Sequence, residues 1–183
     1  MSHIDARVER SQALIRGAAV AELAEKGWGG FTIEGVAKRA GVARSTVYRH
    51  WPDRLHLLVD ALQAHSDQAP ARAAAPGRKR VVALVRHLAE AMADPARSAI
   101  TPALIEAAEH DNALRDIQRR FTDQRRQALV DALADDDVAD PELVAMALAG
   151  AVIYARVMRH RPLSRARATA LVDAVLGPAR PHR

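Results

Sequence analysis

The sequence predicts an all-α protein. Hydrophobic residues make up 49% of its 183 residues and aromatics only 3%, so alanine, the best helix former, carries much of the apolar quota. β-branched runs are scarce. In one segment after another, apolar residues recur at the i, i+3, i+4, i+7 spacing of a helix with one buried face, and glycines and prolines punctuate those segments.

The first helix is expected over about Ala6–Lys26, with Ile15, Ala18, Ala19 and Leu23 on one face. Gly27 ends it, and Trp28 and Phe31 plug the core around a Gly29-Gly30 turn. Thr32 is placed to cap a second helix, whose Ile33, Val36, Ala37 and Ala40 form a buried face. Gly41 stands where a helix end needs positive φ, and Val42 fills the turn. The next helix, about Ala43–Trp51, buries Val47 and Trp51. That leaves Arg44, Ser45, Tyr48 and Arg49 on its other side. Pro52 ends it, because the residue before a proline is pushed out of the helical region. A fourth helix over Asp53–Ser66 turns Leu55, Leu58, Val59 and Leu62 inward. Residues 67–77, rich in proline and alanine, read as a loop or linker.

Further helices are expected from Arg78 to about Asp94, Pro102 to His110 and Asn112 to Ala134, the last ended by Asp135-Asp136-Asp137. Asp140-Pro141, a cap and a first-turn proline, opens a helix to about His160. Ser164 caps a last helix to Leu176. The stretch Leu143–Ala155 is apolar nearly all round and so must be buried on nearly all sides. It reads either as a central core helix or as half of a dimer interface, its small residues Ala147, Gly150, Ala151 and Ala155 letting another helix come close.

Two short helices around a glycine turn, the second exposing Arg, Ser, Tyr and Arg, make a helix-turn-helix. That face suits a DNA groove and its phosphates. The net charge of +5 fits an anionic partner, and residues 31–54 hold five Lys and Arg against two acids, so the basic charge is denser there. The absence of cysteine excludes disulfides and permits a reducing, cytoplasmic setting. No apolar stretch approaches the ~20 residues of a membrane span, and the opening MSHIDARVERSQ is polar and mixed in charge, unlike a secretion signal.

Residues 27–58, GWGGFTIEGVAKRAGVARSTVYRHWPDRLHLL, resemble the N-terminal domain of the Tet repressor (TetR) family. The matching elements are Lys26-Gly27, Trp28, Thr32, Ala40-Gly41-Val42, Tyr48-Arg49-His50-Trp51 and Arg54. Ala43 stands where the family often has a serine cap, Trp51 where it often has Phe, and Arg54 where it often has Lys. The order of the later helices is similar to one C-terminal subtype of these regulators. The resemblance implies an N-terminal domain over 1–52 that binds DNA through a three-helix helix-turn-helix. It also implies a helical effector-binding and dimerisation domain over 53–183, in which the last two long helices pair between subunits.

By the physics of the motif the second helix lies in the major groove. Arg44 is the base reader, since a guanidinium can make two hydrogen bonds to a guanine edge. Ser45 and Thr46 are short enough to reach a base or a phosphate, and Tyr48 offers a hydroxyl to the backbone. Thr32, His50 and Arg54 lie at helix ends where phosphate contact is expected, and Ala43 and Arg49 complete the contact surface. One such head binds weakly. Two held by a homodimer read a pseudo-palindromic operator in double-stranded DNA, and an unidentified small-molecule effector shifts the population away from DNA. A ligand pocket is expected among His87, Leu104, Ala108, Phe121, Met146, Gly150 and Tyr154, and the dimer interface around Ala147, Ala151, Ala155, Leu171 and Val175.

An enzyme is the first competing reading. The chain offers no Ser-His-Asp set with supporting context, no glycine-rich phosphate loop, and neither HExxH nor CxxC. Asp135–Asp137 with Asp140 ends and caps helices more readily than it binds a metal, so no metal or cofactor is expected. A nucleoid-type DNA binder without effector, or an activator in place of a repressor, fits the same motif.

Overall fold

The computed structural model describes residues 3–66, 77–134 and 138–177, the side chains of 3–7, 65, 66 and 96 excepted. It is 83% helical, and no strand occurs among the described residues. The helices there are α1 (His3–Gly30), α2 (Ile33–Ala40), α3 (Arg44–Tyr48), α4 (Arg54–Ser66), α5 (Arg78–Ala93), α6 (Pro95–Ser98), α7 (Ile100–His110), α8 (Asn112–Leu133), α9 (Pro141–Val157) and α10 (Arg165–Leu176). None of them is long and apolar enough to cross a membrane. The expected loop at 67–77, Gly77 apart, and the acidic run Asp135–Asp137 lie outside the described residues.

Most helix ends follow the local chemistry. Thr32 Oγ1 accepts the Gly35 N–H at 3.0 Å, Asp140 Oδ1 the Leu143 N–H at 3.0 Å, and Ser164 Oγ the Arg167 N–H at 3.3 Å. Each satisfies a donor that a helix start leaves orphaned. The backbone leaves helical dihedrals at Gly27 (φ 63°, ψ −179°), although one more turn carries α1 to Gly30. Two differences from expectation stand out. α6 is a single turn that periodicity could not reveal. α7 begins two residues before Pro102, because a proline in the first turn has no amide hydrogen to lose there.

Packing gathers the chain into two compact units, Met1–Gln68 with Ala99–Phe121, and Ala69–Ser98 with Thr122–Arg183. In the first, α1 packs on α2, α4 and α7. Ile15, Leu23, Phe31, Val47, Leu57, Leu58 and Leu114 are fully buried there, each worth about 1.5–3 kcal/mol of apolar burial. α4 belongs to this core, since Leu57, Leu58, Ala61 and Leu62 have α1 to lie against. The packing of the first unit therefore runs on through α4. In the second unit α5 packs on α9 and α10 around Val81, Val85, Leu148, Val152, Ala168 and Val172.

In the single chain Leu143–Ala155 is buried along one side only. Ala145, Leu148 and Val152 form α9's buried stripe, while Leu143, Met146 and Tyr154 are 54, 61 and 55% exposed, and Met158 just beyond is 66% exposed. α9 has α5 and α10 on one side, so its opposite apolar face has no partner within the second unit.

The turn between α2 and α3 depends on Gly41 at φ 69°, ψ 31°. Gly41→Ala forces a side chain into the left-handed region, which costs about 1–2 kcal/mol. Urea unfolding is expected to show a lower midpoint with an unchanged slope.

Candidate nucleic-acid interface

The turn closes α2 with two paired bonds. The Gly41 N–H reaches Lys38 O at 3.3 Å and the Val42 N–H reaches Ala37 O at 3.0 Å, with Val42 against the core. The α3 helix is five residues long, too short to persist by itself. Its anchors are Val47, fully buried, and Trp51, 5% exposed. Winding continues past Tyr48 through the bonds Arg49 N–H to Ser45 O, and His50 and Trp51 N–H to Val47 O. The expected helix to Trp51 is thus present as a frayed end.

Ala43, Arg44, Ser45, Tyr48 and Arg49 are exposed, as is Thr32 at the start of α2, and Thr46, His50 and Arg54 are half-buried. Ala43 leaves the start of α3 without a side-chain cap, and of the first-turn N–H groups that of Thr46 donates to Ala43 O at 2.9 Å. The Thr32 hydroxyl accepts from Gly35 and still has its own proton to donate. Arg44 is 3.6 Å from Glu34 of α2, both side chains well exposed. An exposed pair of this kind is worth under about 1 kcal/mol, so it aligns Arg44 without sequestering it.

Two polar brackets that sequence reading missed hold this surface. In the first, Asp60 Oδ2 of α4 accepts from the Trp51 indole at 2.9 Å and from Arg16 Nε at 2.8 Å. Arg16 also reaches Gln12 Oε1 at 3.4 Å, and the Gln12 amide nitrogen meets His50 Nδ1 at 3.1 Å. An amide nitrogen only donates, so Nδ1 accepts and the ring's other nitrogen carries the hydrogen. In the second, the buried Glu22 of α1 receives Lys26 at 2.8 Å and Arg39 of α2 at 2.9 Å, and Arg39 also pairs with Glu25. A Cβ at Gly35 would overlap the Glu22 carboxylate, which explains the glycine inside α2. Burial alone would raise the Glu22 pKa, but hydrogen bonds and charge from Lys26 and Arg39 outweigh it and hold the carboxyl below its ordinary value. The signal for Glu22 was present in the sequence. It interrupts the apolar stripe of Ile15, Ala18 and Ala19 at the next inward position, four residues before a lysine.

Arg54 is occupied. Its Nη1 donates to the carbonyls of Trp28 (3.3 Å) and Phe31 (3.0 Å), and its guanidinium lies 4.1 Å over the Trp28 ring, which itself stacks on Phe31. It buckles the start of α4 to the end of α1.

The residues expected to line a ligand pocket are distributed over both units. Leu104 and Ala108 are 2 and 3% exposed and Phe121 packs against the same core, all in the first unit. His87 is half-buried in the second unit, and Met146, Gly150 and Tyr154 lie on exposed positions of α9. Of the expected interface residues, Ala147 and Val175 are exposed and Ala151, Ala155 and Leu171 half-buried.

Comparison with known proteins gives matches over both halves. Residues 15–61 match the model described as "Bacterial regulatory proteins, tetR family", and residues 76–175 the model described as "Tetracyclin repressor-like, C-terminal domain". An HTH-type transcriptional regulator of Mycobacterium tuberculosis is 32% identical over 159 residues, 81% of this chain and 73% of that one. The DNA-binding transcriptional repressor TetR of Mycobacteroides abscessus is 30% identical over 120 residues, 63% of this chain and 61% of that protein's length. Among solved structures, the transcriptional regulator FadR of Bacillus subtilis, in complex with stearoyl-CoA, superposes with TM-score 0.73 at 17% identity, covering 91% of this chain and 98% of that one. That likeness is one of fold.

Glu22 gives the first unit an acid limb. Its folded pKa is depressed, so its contribution is complete above the ordinary glutamate range and disappears as pH falls through the lowered folded value. The melting temperature should drop across that window. Glu22→Gln should flatten the drop and cost of the order of 1 kcal/mol at neutral pH, as read by thermal melts from pH 7 to pH 3.

Proposed function

Because this chain belongs to the tetR family of bacterial regulatory proteins, DNA-binding regulators of transcription, we propose that it is a ligand-responsive repressor. It reads a pseudo-palindromic operator as a homodimer in the cytoplasm and releases it when a small molecule binds. The observation that carries the reading is the exposed face of α3, where Arg44, Ser45, Tyr48 and Arg49 stand clear of a helix anchored by the buried Val47.

Within this reading the roles divide by reach. Arg44 reads a guanine edge, while Ser45 and Thr46 approach a base or phosphate. Thr32, Ala43, Tyr48, Arg49 and His50 meet the backbone, which sets register without sequence information. Arg54 contributes charge near a phosphate, but its first duty is to hold the α1–α4 junction. Function divides the chain into a reading head over 1–52 and an effector-binding and pairing region over 53–183.

Pairing uses the unpartnered side of α9. Leu143, Met146, Tyr154 and Met158 are large apolar side chains left in water, and Ala147, Gly150, Ala151 and Ala155 let a second backbone come near. Leu171 and Val175 of α10 extend this surface. Met146, Gly150 and Tyr154 thus serve the interface in place of a pocket wall. Release follows from linkage: an effector that favours mis-spaced heads weakens DNA binding by the factor by which DNA weakens effector binding.

Selection of bound sites from random double-stranded DNA tests the whole reading. It should return an inverted repeat, whereas recovery of no enriched sequence would reject it. Arg44→Ala should cost about 1–3 kcal/mol on the selected site and much less on others, flattening base preference; equal loss on all sequences would reject the base-reading role. Met146→Glu with Tyr154→Glu should elute as single chains in size-exclusion chromatography, keep the helical circular dichroism, and lose operator binding.

A further inference from the structure

The His50 ring stands at the end of a hydrogen-bond chain that links α4, α1 and the frayed end of α3. Asp60 of α4 accepts from Arg16 Nε of α1 at 2.8 Å. Arg16 Nη2 donates to Gln12 Oε1, one turn back on α1, at 3.4 Å, and the Gln12 amide nitrogen meets His50 Nδ1 at 3.1 Å. Arg16 and Asp60, the charged groups behind the ring, offset one another as an ion pair. Trp51 anchors the arrangement. Its buried indole donates to the same Asp60 oxygen at 2.9 Å, and its ring meets the His50 ring edge-on at 5.5 Å.

Each link has one direction. A guanidinium has no acceptor, so the amide atom facing Arg16 is the oxygen and the one facing His50 is the nitrogen. That nitrogen only donates, so Nδ1 accepts, and a neutral ring then carries its hydrogen on Nε2. Nε2 has no partner among the described residues and is not sealed from solvent, His50 being half-buried. The chain thus settles what an isolated histidine leaves free, namely the turn of the ring and the nitrogen that holds the hydrogen.

We propose that Gln12 is a positioning residue for DNA binding: it sets the His50 ring so that Nε2–H donates to a phosphate oxygen of the duplex. The proposal rests on the backbone role given to His50 above and names the group that directs it. Gln12 acts through His50 and touches no DNA itself. Arg16 in turn keeps the Gln12 amide from turning over. A neutral donor of this kind adds affinity without entering the counterion exchange that makes binding depend on salt.

The test uses the full chain with two duplexes, the selected operator and one of mixed sequence, and circular dichroism to check that each variant folds. Gln12→Met keeps the helix and the bulk but cannot donate. It should weaken both duplexes alike, by about threefold to tenfold, because a backbone contact carries no sequence information. The slope of affinity on salt should not change. Gln12→Glu is the sharper variant. A carboxylate only accepts, so Nδ1 takes the hydrogen and a neutral ring turns a lone pair at Nε2 toward the phosphate. Binding by Gln12→Glu relative to the parent should therefore fall as pH rises through the ordinary histidine range, where the ring loses one of its two hydrogens and keeps the one on Nδ1. In a His50→Ala background Gln12→Met should cost nothing more, and the pH step of Gln12→Glu should vanish. Three results would overturn the proposal: unequal loss on the two duplexes, a Gln12→Glu profile parallel to the parent's, or a Gln12→Met loss that persists without His50. His50→Ala alone separates the proposal from the role beneath it. If it binds as the parent does, the backbone role fails and takes the proposal with it. If it weakens both duplexes while Gln12→Met binds as the parent does, the proposal alone fails.

Discussion

A helix of five residues cannot keep its own shape, and the whole reading surface is built on that constraint. Val47 and Trp51 provide the apolar hold, burying one side of α3 and its frayed end in the core of the first unit. The indole then needs an acceptor, because a buried N–H without one costs about 1–3 kcal/mol. Asp60 supplies it and, through Arg16 and Gln12, ties the same end of α3 to α1. The residues that present Arg44 and Tyr48 are thus distant in sequence from the face they support.

Charge is arranged in the same unit with two different strengths. Arg39 is committed to Glu22 and Glu25 and fixes α2 on α1. Arg44 has only the exposed Glu34 at 3.6 Å, a pair that solvent screens and that a nucleic acid can displace. Burial of one partner separates these cases. Glu22 is sealed at 1% exposure, so its ion pairs are structural, while Glu34 keeps its water. Arg54 falls on the structural side, with two carbonyls and an aromatic face as its partners.

The second unit carries an imbalance on its surface. α9 leaves a row of large apolar side chains in water, a surface that asks for another protein face. That row does not stabilise the isolated chain, and regions that break the local rules of stability are where function is expected to reside.

Sequence alone determined the helical class, the main helix ends and the exposed polar face of α3, because each follows from local chemistry. Thr32, Asp140 and Ser164 cap where their side chains reach nearby amides, Gly41 turns where only glycine is at ease, and Val47 and Trp51 share a face by spacing. Tertiary structure alone decided what depends on distant partners. Periodicity said that Leu143–Ala155 is apolar but could not say which side would find α5 and α10. The place of Arg54 at a helix end suggested a phosphate contact but could not show that the carbonyls of Trp28 and Phe31 engage it. Caps and turns are settled within a few residues, but burial and pairing of charge are settled by whatever the folded chain brings alongside.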